Sequence, residues 1–218
     1  MINSPVSTLI RAAYPAPLRE LVNAPAWVMS ERYDVTAKAD GSPNREAMTL
    51  MLRSLLADRF KLSAHYETRE APVFALVVAR ADGRAGAGLR QSTVDCDALS
   101  EARRAGRQPD VAPLASGASP CTWSAQFSDA ATVSFGGLPL SRLPEAIGEQ
   151  DGRVVIDRTG LTGTYEFTLR YAPDQRTTSG ELPSLFTALE EQLGLKLVPD
   201  RAPLQVLVID HIERPTPD

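Results

Sequence analysis

The chain is poor in the residues from which many small scaffolds and sites are built. Two cysteines in 218 residues are too few for a disulfide-rich scaffold or a four-cysteine zinc site. The two histidines, His65 and His211, are not spaced with each other or with a cysteine as metal ligands, and no H-E-x-x-H occurs, so no metal site is expected. No long basic run interrupts a chain of net charge −4, which argues against a dedicated nucleic-acid binder. No apolar stretch approaches the roughly 18 residues of a membrane span; the longest, at 73–79, has the length of a strand. The first ten residues lack the basic start and apolar segment of a secretory signal, so the expectation is a cytoplasmic protein or a mature form with an added Met. No G-x-S-x-G elbow and no phosphate-binding P-loop appear. A Ser-His-Asp constellation is defined by geometry rather than spacing and stays open.

What is present is an ordinary globular composition, 43% hydrophobic and 23% charged, and an internal repeat. An alternating segment at 33–39, YDVTAKA, has a counterpart at 165–171, YEFTLRY, 132 residues later. Both place an acid second and a threonine fourth, with apolar residues on the other face, the period of a half-buried strand. Each is followed by a polar turn and a helix. The first helix carries Met48, Met51, Leu52, Leu55 and Leu56 as an apolar stripe expected to face a core, with Ser42 and Pro43 as cap and first position. The second carries Leu182, Leu185, Phe186, Leu189 and Leu193, with Ser184 as cap and Gly194 as a left-handed stop. A short strand follows each helix (60–62 and 195–197). Then come a turn ending in Ala-Pro (Pro72 and Pro203) and a buried closing strand (73–78 and 204–209). Upstream, 9–14 and 140–147 read as short helices.

Between the halves, Ala, Gly, Ser and Pro make up 21 of the 40 residues at 81–120, too many to supply much core. A short polar helix is expected near 98–105. The glycines of 83–88 read as a flexible exit from the preceding strand. Cys96 and Cys121 lie 25 apart in this stretch, outside any regular apolar pattern, and read as a loop closed by a disulfide. Such a loop gains roughly 3–4 kcal/mol in the chain-entropy account, and the bond implies an extracytoplasmic compartment. The competing reading is two free thiols in a reducing cytosol. The expected fold is α+β, with two tandem related units at 1–80 and 131–218. Each would pack two helices on small, mainly antiparallel sheets, around a loop-rich insertion at 81–130.

Several strings resemble a soil-associated bacterial family of unknown function, abundant in acidobacteria. They are VIDRTGLTGTYEF at 155–167, ALEEQLGLKL at 188–197, VIDHIERP at 208–215, PAW at 25–27, ERYDV at 31–35 and MLRSLLADRFKL at 51–62. The resemblance covers nearly the whole chain. It implies an exported protein, with some relatives fused to membrane-bound sensor peptidases, and it carries no catalytic residues. The order of elements in the second half is also similar to the short N-terminal domain of secretins and TonB-dependent receptors, modules that mediate protein contacts in the periplasm.

The candidate binding residues are Trp27, Arg32, Asp157, Arg158 and Thr159. An arginine in the turn Asp157-Arg158-Thr159-Gly160 could clamp a carboxylate or phosphate. The plainer reading is that Asp and Thr bond their own turn while Gly takes positive φ. Trp27, after Pro25, reads as partly buried packing or a contact residue. Asp34 and Glu166 occupy matching places; they could act as paired carboxylates, or lie on the solvated strand faces. The function expected is a non-catalytic binding or protein-interaction module of the envelope, periplasmic or secreted, in a sensor or adaptor role. Its partner would be an envelope protein or small ligand, with no cofactor and no nucleic acid. The alternatives are a hydrolase with its site in a cleft between the units, and a carrier of small apolar ligands. An interaction module predicts an exposed apolar patch or free sheet edge, an enzyme a convergent polar pocket, and a carrier a large closed apolar cavity.

Overall fold

A computed structural model describes residues 2–17, 20–39, 41, 44–107, 111–112, 114–173 and 182–215. The elements run β1 (Ser4–Pro5), α1 (Val6–Ala13), β2 (Leu21–Val22), α2 (Ala26–Ser30), β3 (Arg32–Tyr33), α3 (Arg45–Phe60) and β4 (Ser63–Val78). They continue with β5 (Arg90–Gln91), α4 (Cys96–Arg104), β6 (Thr122–Phe127), β7 (Ala131–Pro139), α5 (Leu143–Ile147), β8 (Val154–Asp157), β9 (Thr164–Tyr171), α6 (Leu185–Ala188) and β10 (Leu195–His211). A 3-10 turn, Leu140–Arg142, leads into α5, and a π-helical turn, Leu189–Leu193, extends α6. The fold is α+β, as the patterning indicates.

The packing divides the chain into two compact units, Met1–Ala71 with Ala202–Asp218, and Pro72–Arg201. This division by packing differs from the division by sequence similarity, because each unit takes half of each long strand. The crossings fall at Ala71-Pro72 and Arg201-Ala202-Pro203. Two short strands joined by a turn were expected at each place. Instead, β4 and β10 run unbroken for 16 and 17 residues. Pro72 and Pro203 are exposed, where a residue without an N–H is tolerated in a strand.

In the first unit, α1 places Val6, Leu9, Ile10 and Ala13 on one helical face. All four are buried against Val28, Leu56, Phe60, Leu62, Leu207 and Ile209. β2 pairs in parallel with β10, Leu21 opposite Leu207, and β1 pairs antiparallel with β3. The alternating segment at 33–39 forms strand only at its first residue; beyond Tyr33 it is irregular, having no partner strand to complete a ladder. Asn44 caps α3, its side chain accepting from the Ala47 N–H at 2.8 Å; Ser42 and Pro43 lie outside the described residues. Phe60, expected in a strand, ends α3, and Lys61 takes the left-handed stop at φ 51°.

In the second unit, the antiparallel sheet β5-β9-β7-β6 turns Tyr165, Phe167, Leu169 and Tyr171 toward the core. There Phe135 and Phe167 stack at 4.9 Å, covered by Leu140, Leu143, Leu189 and Leu193. β8 pairs in parallel with β4, Val73 opposite Val154. Ser184 caps α6, accepting from the Thr187 N–H, and Gly194 is the left-handed stop at φ 65°.

The insertion is more structured than its composition suggests. Cys96 and Cys121 form a disulfide with Cα atoms 5.4 Å apart. α4 starts at Cys96 with Asp95 as its cap; β5 and β6 are sheet strands, and Leu89 and Ala118 are buried. Gly86 and Gly88, expected in a flexible exit, are packed against the residues that end α6. The Gly86 N–H donates to the Leu193 carbonyl at 2.8 Å, so this segment closes the end of the α6 helix. A Cβ on Gly86 would lie 2.6 Å from the Gly194 nitrogen, and one on Gly88 would clash with the Gln192 carbonyl oxygen. Glu166, expected on a solvated face, is buried at 8% exposure. The insertion explains this: Ser116 Oγ approaches Glu166 Oε2 at 3.4 Å, and Thr168 Oγ1 donates to the Ser116 carbonyl.

Gly88→Ala is therefore expected to destabilise the protein by about 1–3 kcal/mol, the usual cost of forcing atoms into filled space. The check is the urea midpoint; an unchanged midpoint would mean that 86–88 is not seated against the helix end.

Candidate functional site

Two features of the first unit stand apart from its core. The first is the outward side of α3. Its stripe was expected to face a core, but only Leu56 is buried there. Leu52 and Leu55 are half-buried, while Met48 and Met51 are 50% and 43% exposed. The core needs only the turn that ends in Leu56 and Phe60, because α1 is two turns long and covers no more of α3. The remaining stripe borders an open groove of about 520 Å³. Met48, Met51, Leu52 and Leu55 line it from α3, Ala12 from α1, and residues 37–39 complete it. Among the described residues its polar contributors are Thr49 and Lys38, and Lys38 is the one charged residue of that lining. Two smaller hollows differ in character. One of about 290 Å³ lies beside Arg11, Tyr14 and Leu21. Another of about 490 Å³, in the second unit, carries Glu190, Glu191 and Lys196.

The second feature is a polar cluster around Trp27. Arg214 forms a bidentate pair with Glu31 (Nη2 to Oε1 2.6 Å, Nε to Oε2 3.0 Å) and lies over the Trp27 ring, 5.1 Å from its centroid. Tyr33 donates its hydroxyl to Glu31 Oε2 at 2.9 Å and sets its ring edge-on to Phe60. The Glu213 N–H bonds the Phe60 carbonyl. Four of the sequence strings quoted above thus meet at one place, and what they build there is a clasp on Glu213 and Arg214. The guanidinium hydrogen bonds hold the Glu31 carboxyl below the usual carboxylate range, while burial, then the bond to Glu31, raises the Tyr33 phenol.

Of the five candidate binding residues, Trp27 and Arg32 belong to the first unit and Asp157, Arg158 and Thr159 to the second. Trp27 is half-buried, as the packing reading has it. Arg32 is exposed and donates to the Asn3 carbonyl at 2.9 Å. Asp157 Oδ1 accepts from both the N–H and the hydroxyl of Thr159, and Thr159 in turn accepts from the Leu161 N–H. Gly160 takes φ 67°. Arg158 clamps a carboxylate, that of Asp200, at 2.9 Å.

Asp34 is exposed and accepts from the Asn3 N–H; it belongs to the first unit and Glu166 to the second. The histidines have carboxylate partners close by: His65 Nδ1 lies 2.9 Å from Asp210 and His211 Nε2 2.9 Å from Glu213. The first pairing lies beyond local sequence signals, because Asp210 comes 145 residues after His65. Among the described residues, no group of three or more His, Cys, Asp or Glu could hold a metal ion, and no helix is long and apolar enough to cross a membrane.

Residues 7–212 match the family described as "Protein of unknown function (DUF3738)", and the chain belongs to that family. No curated protein matches the chain, and neither does any solved structure.

The Glu31 carboxyl sets a pH limit on the clasp. Its folded pKa lies below its unfolded value, so its contribution is complete above the ordinary carboxylate range and is lost as pH falls through the lowered value. In a Trp123→Phe background, Trp27 emission is expected to change in an acid step with a midpoint below that of an ordinary glutamate. Glu31→Gln should remove the step; its persistence would show that another group controls the clasp.

Proposed function

We propose that this member of the family is a non-catalytic binding module that works outside the cytoplasm, in a sensor or adaptor role at the cell envelope, and that the α3 groove is its contact surface. The observation that carries this reading is the groove itself. A fold that buries Leu56 and Phe60 from one helix leaves Met48 and Met51 of the same helix half in water. Contiguous exposed apolar surface is a feature of interaction sites, and methionine is common where a surface must adapt to what it binds. The lining offers dispersion contacts, one hydroxyl and one ammonium, which suits holding a ligand better than transforming it. The disulfide supports an oxidising compartment. So do the resemblance to exported proteins of soil bacteria and the likeness of the second half to the secretin and TonB short domain. In this reading Trp27 of the clasp, Arg32 bonded to the Asn3 carbonyl, and the turn residues Asp157, Arg158 and Thr159 hold the frame.

The proposal includes a tandem origin for the chain, with related halves at 1–80 and 131–218 around the insertion. The pairing of strands supports it. β2 of the first half lies parallel to β10, the closing strand of the second; β8 of the second half lies parallel to β4, the closing strand of the first. A duplicated unit whose copies exchanged closing strands would produce this pattern.

The test is binding of a neutral apolar dye, Nile red. Wild-type protein should enhance its emission, and Met51→Glu should weaken binding by about tenfold or more, since a carboxylate in an apolar site loses hydration without a partner. Phe127→Ser, which removes an exposed aromatic ring in the second unit, should leave binding unchanged. Loss with Phe127→Ser and not with Met51→Glu would place the contact surface elsewhere.

A further inference from the structure

We propose that the α3 groove takes a single-chain amphiphile with an anionic head, such as a fatty-acid anion, its chain along the Met48–Leu55 stripe and its head at Lys38. The inference rests on the groove being the contact surface and names what that surface takes.

Size favours a slender ligand over a protein partner. The stripe from residue 48 to residue 55 covers seven helical rises, about 10 Å of helix, or two turns. A stable protein interface needs on the order of 800 Å² from each partner, more than two half-exposed methionines and two half-buried leucines present. A volume of about 520 Å³, by contrast, lies within the range of small-molecule sites, roughly 300–1,000 Å³. The lining suits a flexible chain. Ala12, Ala37 and Ala39 bring the backbone close without projecting bulk, and the unbranched thioethers of Met48 and Met51 can follow a chain of varied shape. These residues offer an aromatic or multiply polar ligand no ring to stack on and no array of donors and acceptors.

Charge selects the head group. Lys38 is the one charged residue of the lining, beside Ala37 and Ala39, and it makes no ion pair among the described residues. An ammonium at the edge of an apolar slot attracts an anion whose tail the slot can bury. It repels a cation carrying the same tail. Because Lys38 is exposed, the attraction is that of a surface pair, worth a fewfold in affinity. The chain supplies the rest, about fourfold for each methylene withdrawn from water. Affinity should therefore climb with chain length until the groove is filled and then level off.

The experiment is isothermal titration calorimetry of the full chain with octanoate, decanoate and dodecanoate, and with dodecyltrimethylammonium, all below their micelle concentrations. Folding of each variant is confirmed by circular dichroism. Dodecanoate is expected to bind about fivefold or more tighter than the cation of equal chain length, and binding should strengthen from octanoate to dodecanoate. Lys38→Glu should reverse the preference between dodecanoate and the cation, while Met51→Glu should weaken both ligands. Equal affinity for the two head groups, unmoved by Lys38→Glu, would overturn the anion assignment while leaving a binding groove. Nile red binding that Met51→Glu abolishes, with no dodecanoate binding, would overturn the amphiphile and keep the contact surface. Failure of both would remove the contact surface itself. Binding only to vesicles of anionic phospholipid, with none to monomeric dodecanoate, would overturn the free-ligand assignment in favour of a membrane surface.

Discussion

Strands β4 and β10 carry the constraint on which the rest of the structure depends. Each is long enough to serve two cores, and each does. β10 contributes Leu195 and Leu197 to the core of the second unit, then Leu207 and Ile209 to that of the first; β4 supplies Phe74 and Leu76 to the second. The first unit is therefore discontinuous in sequence and closes only when residues 202–211 return to it. Its Leu56, Phe60 and α1 side chains would otherwise face water, at a cost of about 1.5–3 kcal/mol for each large apolar group. The two Ala-Pro pairs stand where the strands pass from one unit to the other. A proline there withholds a ladder hydrogen bond where its ring is exposed.

In the second unit, the disulfide-closed insertion has a comparable organising role on a smaller scale. The bond ties the start of α4 to the residue before β6, and the Cys121 N–H bonds the Gly136 carbonyl at 2.6 Å. This holds residues 114–119 against the polar face of the antiparallel sheet, where Glu166 becomes buried. The glycines at 86 and 88 let the first part of the insertion lie against the helix end. A segment rich in small residues makes little core of its own. Small residues do allow close backbone approach, and this stretch is used for that.

The polar residues that stand out in the sequence are spent on structure. Glu31, Tyr33 and Arg214 bind one another and Trp27; Asp157 and Thr159 bind their own turn; Arg158 binds Asp200. On α3, by contrast, Met48 and Met51 leave apolar surface exposed. Each of those polar residues has partners within the protein, while an apparently ordinary helical stripe borders a largely apolar groove.

The sequence by itself determined the elements whose causes are local. Spacing of apolar residues identified α1, α3 and α6. Ser184 and Gly194 marked helix ends through side-chain capping and a left-handed backbone. Alternation identified β9, and the two cysteines in a loop-rich stretch indicated their own bond. Local signals failed where the deciding partner was distant. Residues 33–39 alternate as a strand does, yet find no neighbour beyond Tyr33. The Ala-Pro pairs read as turns, yet lie inside unbroken strands of 16 and 17 residues. The face of α3 that reads as core is half open, because periodicity shows which side of a helix is apolar and not whether anything covers it. Only tertiary structure decides that. Coverage depends on the length of α1 and on where residues 37–39 lie, and both are set by packing between segments far apart in the chain.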